Sequence, residues 1–342
     1  MGGDIPSPKR LHRIYRLADS CPPTSELEGD NMPSFEPSYI ETHKKGLLKN
    51  KIKKAREIMK ACVLCPRKCA VDRLSGEFGV CRTGEKALVS SYHQHYGEEA
   101  PLVGKNGSGT IFFTFCNLLC IFCQNYDISH EGEGAEVTDR QIAGMMMNLQ
   151  NSGCHNINFV TPSHVVPQIL SAVEIAVDEG LNVSLVYNTS GYDRVDTLKL
   201  LEGVIDIYMP DFKFWDPEVA GLVCNAENYP EIARKAVIEM HRQVGDLVID
   251  ESGIARRGLL IRHLVLPGGL AGTRYIMRFI ANKISKNTYV NIMPQYRPCG
   301  RAYEVKELSE SLSTEDFKKA LKMAEEEGVT RLDMRRRAFV LW

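Results

Sequence analysis

Six short β-rich runs alternating with helix-patterned stretches limit this chain's architecture more than any other feature. The runs cover residues 110–115, 156–161, 183–187, 205–209, 260–266 and 289–293. Helical spacing occupies 138–150, 163–178, 193–201, 230–243 and 272–283, and Gly180 with Asn182 marks the turn after the second of these. Strands that alternate with helices form a parallel, curved β/α sheet. The expected fold is therefore α/β: a partial (β/α)6 TIM-like barrel with an N-terminal Cys-rich extension. A full eight-unit barrel is the alternative, but a helix over 313–327 and the tail after it leave little room for two more units. In either fold, chemistry belongs at the carboxyl ends of the strands.

The first run delivers the chain's most informative residues. Residues 107–126, GSGTIFFTFCNLLCIFCQNY, pass from glycines through an apolar strand into Cys116, Cys120 and Cys123. Three thiols spaced C-x3-C-x2-C on one loop read as a metal site. A closed structural zinc site takes four ligands, whereas a [4Fe-4S] cluster held by three thiolates keeps one iron open. A second group, Cys62, Cys65, Cys69 and Cys81, carries enough thiolates for a closed site holding zinc or a further iron-sulfur cluster. Cys21, Cys154, Cys224 and Cys299 are scattered, so the eleven cysteines suit a reducing compartment better than a disulfide scaffold.

These cysteines, with the aromatic Phe122 just before the third, resemble the signature of the radical S-adenosylmethionine (SAM) enzymes. The phrases CPRKCAVDRLSGEFGVCRTGE from Cys65, HYGEEAPLVGKNGSGTIFF from His95, HNINFVTPSHVVPQIL from His155, VYNTSGYDRVDTLKLL from Val186, DIYMPDFKFWDPEVA from Asp206 and GIARRGLLIRHLVLPGGLAGT from Gly253 are similar to one branch. That branch comprises proteins resembling pyruvate formate-lyase activating enzyme. The resemblance implies a [4Fe-4S] cluster on Cys116, Cys120 and Cys123, with SAM chelating the open iron. One electron then cleaves the sulfur to C5′ bond, and the resulting 5′-deoxyadenosyl radical removes hydrogen from substrate. It also implies a reduced flavodoxin or ferredoxin-like electron donor, and as substrate a glycyl-radical protein, a peptide or a small molecule.

The resemblance and the strand ends together nominate the remaining site residues. Ser163 follows the second strand, where activating enzymes usually carry Gly-Gly-Glu for the SAM amino group. Asn188 and Thr189 follow the third, in a segment similar to the family's Thr-Asn-Gly-Tyr with Ser190 in place of its Asn. Asp211 and Lys213 follow the fourth. On the fifth, alternation puts Arg262 and Leu264 on one face and His263 and Val265 on the other; His263 and Val265 are taken for the cofactor side, with Phe122. Gln295, Tyr296 and Arg297 are expected to close the substrate side, Arg297 being suited to a carboxylate or phosphate.

Along the chain these readings divide it into an arm and basic helix (1–60), a Cys-rich metal-binding module (61–100), the radical SAM barrel (101–300) and a terminal helix with its tail (301–342). Lys and Arg number 42 against 43 Asp and Glu, a formal net charge of -1 that supplies no long-range field for nucleic acid. No apolar run approaches a membrane span, and the start MGGDIPSPKR is not a secretory signal, so a cytoplasmic protein is expected. Two other functions stay open at this point: an iron-sulfur structural or electron-transfer protein that never cleaves SAM, and a zinc-stapled RNA-modifying protein.

Overall fold

Parallel neighbours in a sheet require a crossover between them, and this chain supplies a helix for each. The computed structural model describes residues 35–333. The basic patch at 9–16, Cys21 and the arginines at 335–337 lie outside the described residues. Apart from Phe35, every described residue belongs to the second of two compact units, Glu36–Trp342.

The chain enters through α1 (Ser38–Lys44) and α2 (Leu47–Ile58), two helices in place of the single basic helix expected within 1–60. Gly46, at φ 68°, breaks it, because a left-handed residue cannot continue an α-helix. The cysteine-rich loops come next, then β1 (Ala87–His95), α3 (Ala100–Val103) and β2 (Ser108–Phe113). After these come β3 (Ala135–Val137), α4 (Asp139–Asn151), β4 (Asn156–Val160), α5 (Val166–Asp178), β5 (Ser184–Thr189), α6 (Val195–Leu201) and β6 (Ile207–Pro210). The described chain continues through α7 (Pro217–Cys224), α8 (Tyr229–Val244), β7 (Val248–Ile249), β8 (Ala255–Leu264), α9 (Thr273–Phe279), β9 (Tyr289–Met293) and α10 (Thr314–Glu326). Local chemistry sets these boundaries: Thr138 and Gln141 form a capping box that starts α4, and the Asp216 side chain caps α7.

Six strands run parallel in the order β2-β4-β5-β6-β8-β9, with helices in every crossover. This is a partial (β/α)6 barrel. Beyond the expected strands, β1 pairs antiparallel with β2, β3 pairs with β1, and β7 forms a short antiparallel pair with β8. The polar SSYHQH end of β1 concealed it: a strand half-exposed at a sheet edge lacks the apolar run that marks a buried one.

Strand alternation divides the side chains into two cores. Ile111, Phe159, Tyr187, Tyr208, Ile261 and Ile292 belong to the large core shared with the helices. Val186, Ile207, Met209, Leu260 and Tyr289 face inward and pack around Leu102 of α3. Asn156 Nδ2 donates to the Leu102 carbonyl at 2.8 Å. The segment after β1 therefore plugs the lower barrel, and a cavity lies above it. Asp206, one residue before β6, receives Ser38 N–H at 2.8 Å and Leu185 N–H at 3.0 Å. It ties α1 to the sheet rather than serving the cavity, and burial pushes its carboxyl up to about 6.

Candidate functional site

The space above the plug is a cavity of about 430 Å³ at the carboxyl ends of the strands. That is enough for a cofactor-sized ligand. All three cluster-loop thiols, Cys116, Cys120 and Cys123, line it, as does Phe122. The loop wraps tightly because Phe115 and Leu119 adopt left-handed backbone at φ 67° and 58°, an uncommon state for non-glycine residues. The loop is anchored from several sides. Phe115 N–H donates to Ile128 O at 3.0 Å, Ile121 N–H to Val223 O at 3.0 Å, and Arg67 reaches the carbonyls of Asn117, Leu118 and Cys224 at 2.9, 3.1 and 2.8 Å.

The surroundings of the thiols differ. Leu118 N–H points at Cys116 Sγ from 3.3 Å, yet burial pushes that thiol up to about 12. Cys120 is lowered, chiefly by a hydrogen bond from Cys224 at 3.2 Å and further by the Lys213 ammonium, while burial and that same partner raise Cys224. Cys224, unassigned from sequence, sits behind Cys120 and does not line the cavity. A deprotonated thiolate is the metal-binding form, so metal bound here would replace protons.

The rim opposite the loop is a charged network. Arg262 donates to Asp211 Oδ1 at 2.8 Å and Asn188 Oδ1 at 2.6 Å, and Lys213 Nζ lies 2.7 Å from Asp211 Oδ2. Burial works against ionisation of Asp211, but the Arg262 guanidinium and then the Lys213 ammonium hold its carboxyl below the ordinary range. Burial likewise opposes charge on Lys213 and Arg262, and the Asp211 carboxylate raises both in spite of it. Thr189 lines the cavity and donates to Asp193 Oδ2 at 2.6 Å, and Thr161 turns into it with φ 61°.

Several expected site residues lie elsewhere. His263 and Val265 are on the outer face of β8, since Arg262 and Leu264 take the inner one. His263 Nδ1 donates to Phe212 O at 2.8 Å, and Nε2 pairs with Thr273 Oγ1 at 2.9 Å. Ser163 is buried beneath the rim and bonds Thr189 Oγ1 at 3.0 Å, so it orients a lining residue without lining the cavity. Tyr296 is buried with its hydroxyl on Leu308 O at 2.6 Å and its ring against Phe122. Arg297 is outside the cavity lining, whereas Gln295 lines it and its carbonyl accepts from Gln124 Nε2 at 3.1 Å.

Sequence reasoning missed the cavity floor. Glu98, Glu99 and Asn291 line it, and Arg262 Nη1 stands 3.7 Å from Glu98 Oε2. Asn291 is in phase with Met293 on β9, a signal that alternation offered. The two glutamates lie in a loop with no periodicity to read.

In the other cysteine group Cys62, Cys65 and Cys81 are buried and Cys69 half-buried. Backbone N–H groups of Arg67, Thr83 and Val80 point at the sulfurs of Cys65, Cys81 and Cys69. Buried Arg73 lies with Nη1 3.9 Å from Cys62 Sγ and 2.8 Å from His164 O. His164 in turn donates to Thr114 O at 3.0 Å, which makes it a tie between this module and the end of β2. Among the described residues no three His, Cys, Asp or Glu side chains are gathered for a single metal ion.

The model of the Radical SAM superfamily matches residues 110–267, from the cysteine-bearing strand to the end of β8. A protein of Methanocaldococcus jannaschii, described as uncharacterized protein MJ0674, is 33% identical over 306 residues, covering 87% of this chain and 84% of its own. The chain belongs to the radical SAM superfamily. Membership in the radical SAM superfamily implies a SAM-dependent radical enzyme with an iron-sulfur cluster. Among solved structures, a radical SAM methyltransferase from Sphaerobacter thermophilus aligns with TM-score 0.45 and 15% identity over 64% of each chain. Native anSMEcpe with bound AdoMet aligns with TM-score 0.43 and 14% identity over 62% of this chain and 57% of its own. The chain thus spans less than two thirds of either. Among the described residues no helix is long and apolar enough to cross a membrane.

The site's donor set fits the family's cofactors. Three thiols share one cavity wall, the Leu118 amide points at Cys116 Sγ, the Lys213 charge favours the Cys120 thiolate, and polar rim residues line the same space.

Proposed function

We propose that this chain is a radical SAM oxidoreductase that holds a [4Fe-4S] cluster on Cys116, Cys120 and Cys123 and binds SAM against the Asn188–Arg262 rim. The observation that carries the reading is the gathering of those three thiols and the Asp211, Lys213, Arg262 network on one cavity. When bound, cluster and SAM together supply a 5′-deoxyadenosyl radical that takes a hydrogen atom from substrate.

The chain's own residues do the rest. Asn188 and Thr189 present polar groups to the carboxylate or ribose of SAM. Lys213, beside Cys120, offsets thiolate charge, and Asp211 fixes both Lys213 and Arg262 in place. Phe122, packed between Phe214 and Tyr296, keeps water from the cluster loop. A glycyl-radical protein is the substrate that the activating-enzyme resemblance favours, a reduced flavodoxin or ferredoxin-like protein is the donor, and the setting is cytoplasmic. Cys62, Cys65, Cys69 and Cys81 form a second centre, zinc or iron-sulfur, supported by the amides pointed at their sulfurs.

Anaerobic reconstitution tests the reading. Iron and sulfide analysis, electron paramagnetic resonance with and without SAM, and chromatography for 5′-deoxyadenosine are compared between the wild type and a Cys116, Cys120, Cys123 triple Ala variant. The wild type is expected to hold a cluster whose spectrum SAM alters, and to release 5′-deoxyadenosine. A triple variant that keeps all the iron, or a wild type that cleaves no SAM, refutes it.

A further inference from the structure

The floor of the cavity contains polar groups that the proposed cofactor roles do not use. Glu99 is 4% exposed, and its Oε1 accepts from Asn291 Nδ2 at 2.8 Å. Its other oxygen, Oε2, is buried and has no hydrogen-bond partner. A carboxylate oxygen taken from water without a donor is costly, so such an atom on a cavity wall marks where a ligand's donor belongs.

A second observation comes from β4. Asn158 is fully buried, and neither its Oδ1 nor its Nδ2 has a partner. It lies on the inner face of the strand, between Asn156, which bonds the Leu102 carbonyl of the plug, and Val160, which lines the cavity. The barrel interior thus presents an unpaired carboxylate oxygen and an unpaired amide on the level of its plug.

Charge identifies the kind of donor. The carboxylates lining the cavity are Glu98, Glu99 and Asp211, and the lining nitrogen bases are Lys213, Arg262 and His95. Asp211 is satisfied by both cations, and the Arg262 guanidinium, 3.7 Å from Glu98 Oε2, also feels the Glu99 carboxylate without hydrogen-bonding its Oε2. Glu99 carries the open oxygen, and a carboxylate oxygen is met most strongly by a cationic donor.

We propose that Glu99, supported by Glu98 and Asn291, is the subsite that receives a cationic nitrogen of the substrate, an ammonium or guanidinium group. The inference rests on the radical SAM reading of the cavity and adds the class of substrate it takes. Glu99 positions that group by a charge-assisted hydrogen bond to Oε2 while Asn291 holds Oε1. A peptide side chain ending in nitrogen and a small amine share this chemistry.

The test uses the full-length protein, anaerobically reconstituted and loaded with SAM, titrated with n-butylammonium, n-butylguanidinium and butyrate while ligand-observed NMR tracks binding. Both cations are expected to bind saturably and butyrate not to bind. Glu99→Gln, which keeps the shape and the Asn291 contact, should weaken both cations by at least about tenfold and change SAM affinity by less than about twofold. Butyrate binding as well as the cations, no cation binding at all, or unchanged cation binding in Glu99→Gln overturns the proposal. So does a loss of SAM affinity in that variant, which assigns the carboxylate to the SAM ammonium. Should Glu99→Gln not fold, competition in the wild type decides: a cation that binds beside retained SAM upholds the subsite, and one that displaces SAM overturns it. A wild type that binds no SAM fails the preceding reading alone, and the same titration without SAM then judges the floor by itself.

Discussion

Replacing His263 with Gln separates a structural role from a cofactor role at a position where sequence favoured the latter. The ring is fully buried on the outer face of β8, donating to Phe212 O and paired with Thr273 Oγ1. Burial pushes its imidazole down to about 4, against an ordinary 6.5. The folded state therefore keeps it neutral where the unfolded chain would protonate it. The stability this contributes is fully present above pH 6.5 and is lost as pH falls from 6.5 toward 4. At about 1.4 kcal/mol per pH unit, that window is worth roughly 3 kcal/mol. At pH 7 the His263→Gln variant should lose about 1–3 kcal/mol, from one imperfectly replaced buried hydrogen bond. Between pH 7 and 5 it should then lose less further stability than the wild type. The variant's slope will not vanish, because buried His164 is also held down to about 4 and behaves in the same way. Asp206 acts oppositely: its carboxyl, raised to about 6, makes the folded state relatively more stable as pH falls through that value. Urea unfolding monitored by circular dichroism across this range measures the profile, and equilibrium SAM binding at pH 7.5 measures the cofactor. Parallel pH profiles for variant and wild type, or a SAM affinity reduced tenfold in a folded variant, would refute the reasoning.

Arg67→Met removes the donors that reach the carbonyls of Asn117, Leu118 and Cys224. A loss of about 3 kcal/mol and faster iron release from the reconstituted protein are expected, read by thermal unfolding and by iron retained over time. Asp211→Asn leaves two buried cations short of their shared carboxylate, so stability should fall by about 3 kcal/mol and SAM affinity by at least about tenfold, measured by denaturant titration and calorimetry. Gly191→Ala would place a Cβ 2.4 Å from Asp211 O at a backbone φ of 77°. It should cost more than about 2 kcal/mol, and wild-type stability in that variant would contradict the packing described around Asp211.

Sequence by itself determined the parts that depend on local spacing. Six β-rich runs became the six parallel strands because a strand buried on both faces is mostly apolar, and three thiols within eight residues stay close in any loop leaving the end of β2. Alternation also separated Arg262 from His263, although it could not say which face looked inward. That was decided only when the sheet curved and the helices covered its outer side, leaving Arg262 to Asp211 and Asn188 and burying His263 under α9. The same holds for Glu98 and Glu99. They stand more than 150 residues from Arg262 and Asn291, in a loop without periodicity, and reach the cavity only because Leu102 is drawn into the apolar barrel interior. Burial of that plug is a property of the closed barrel, so no local pattern could have disclosed the floor it builds.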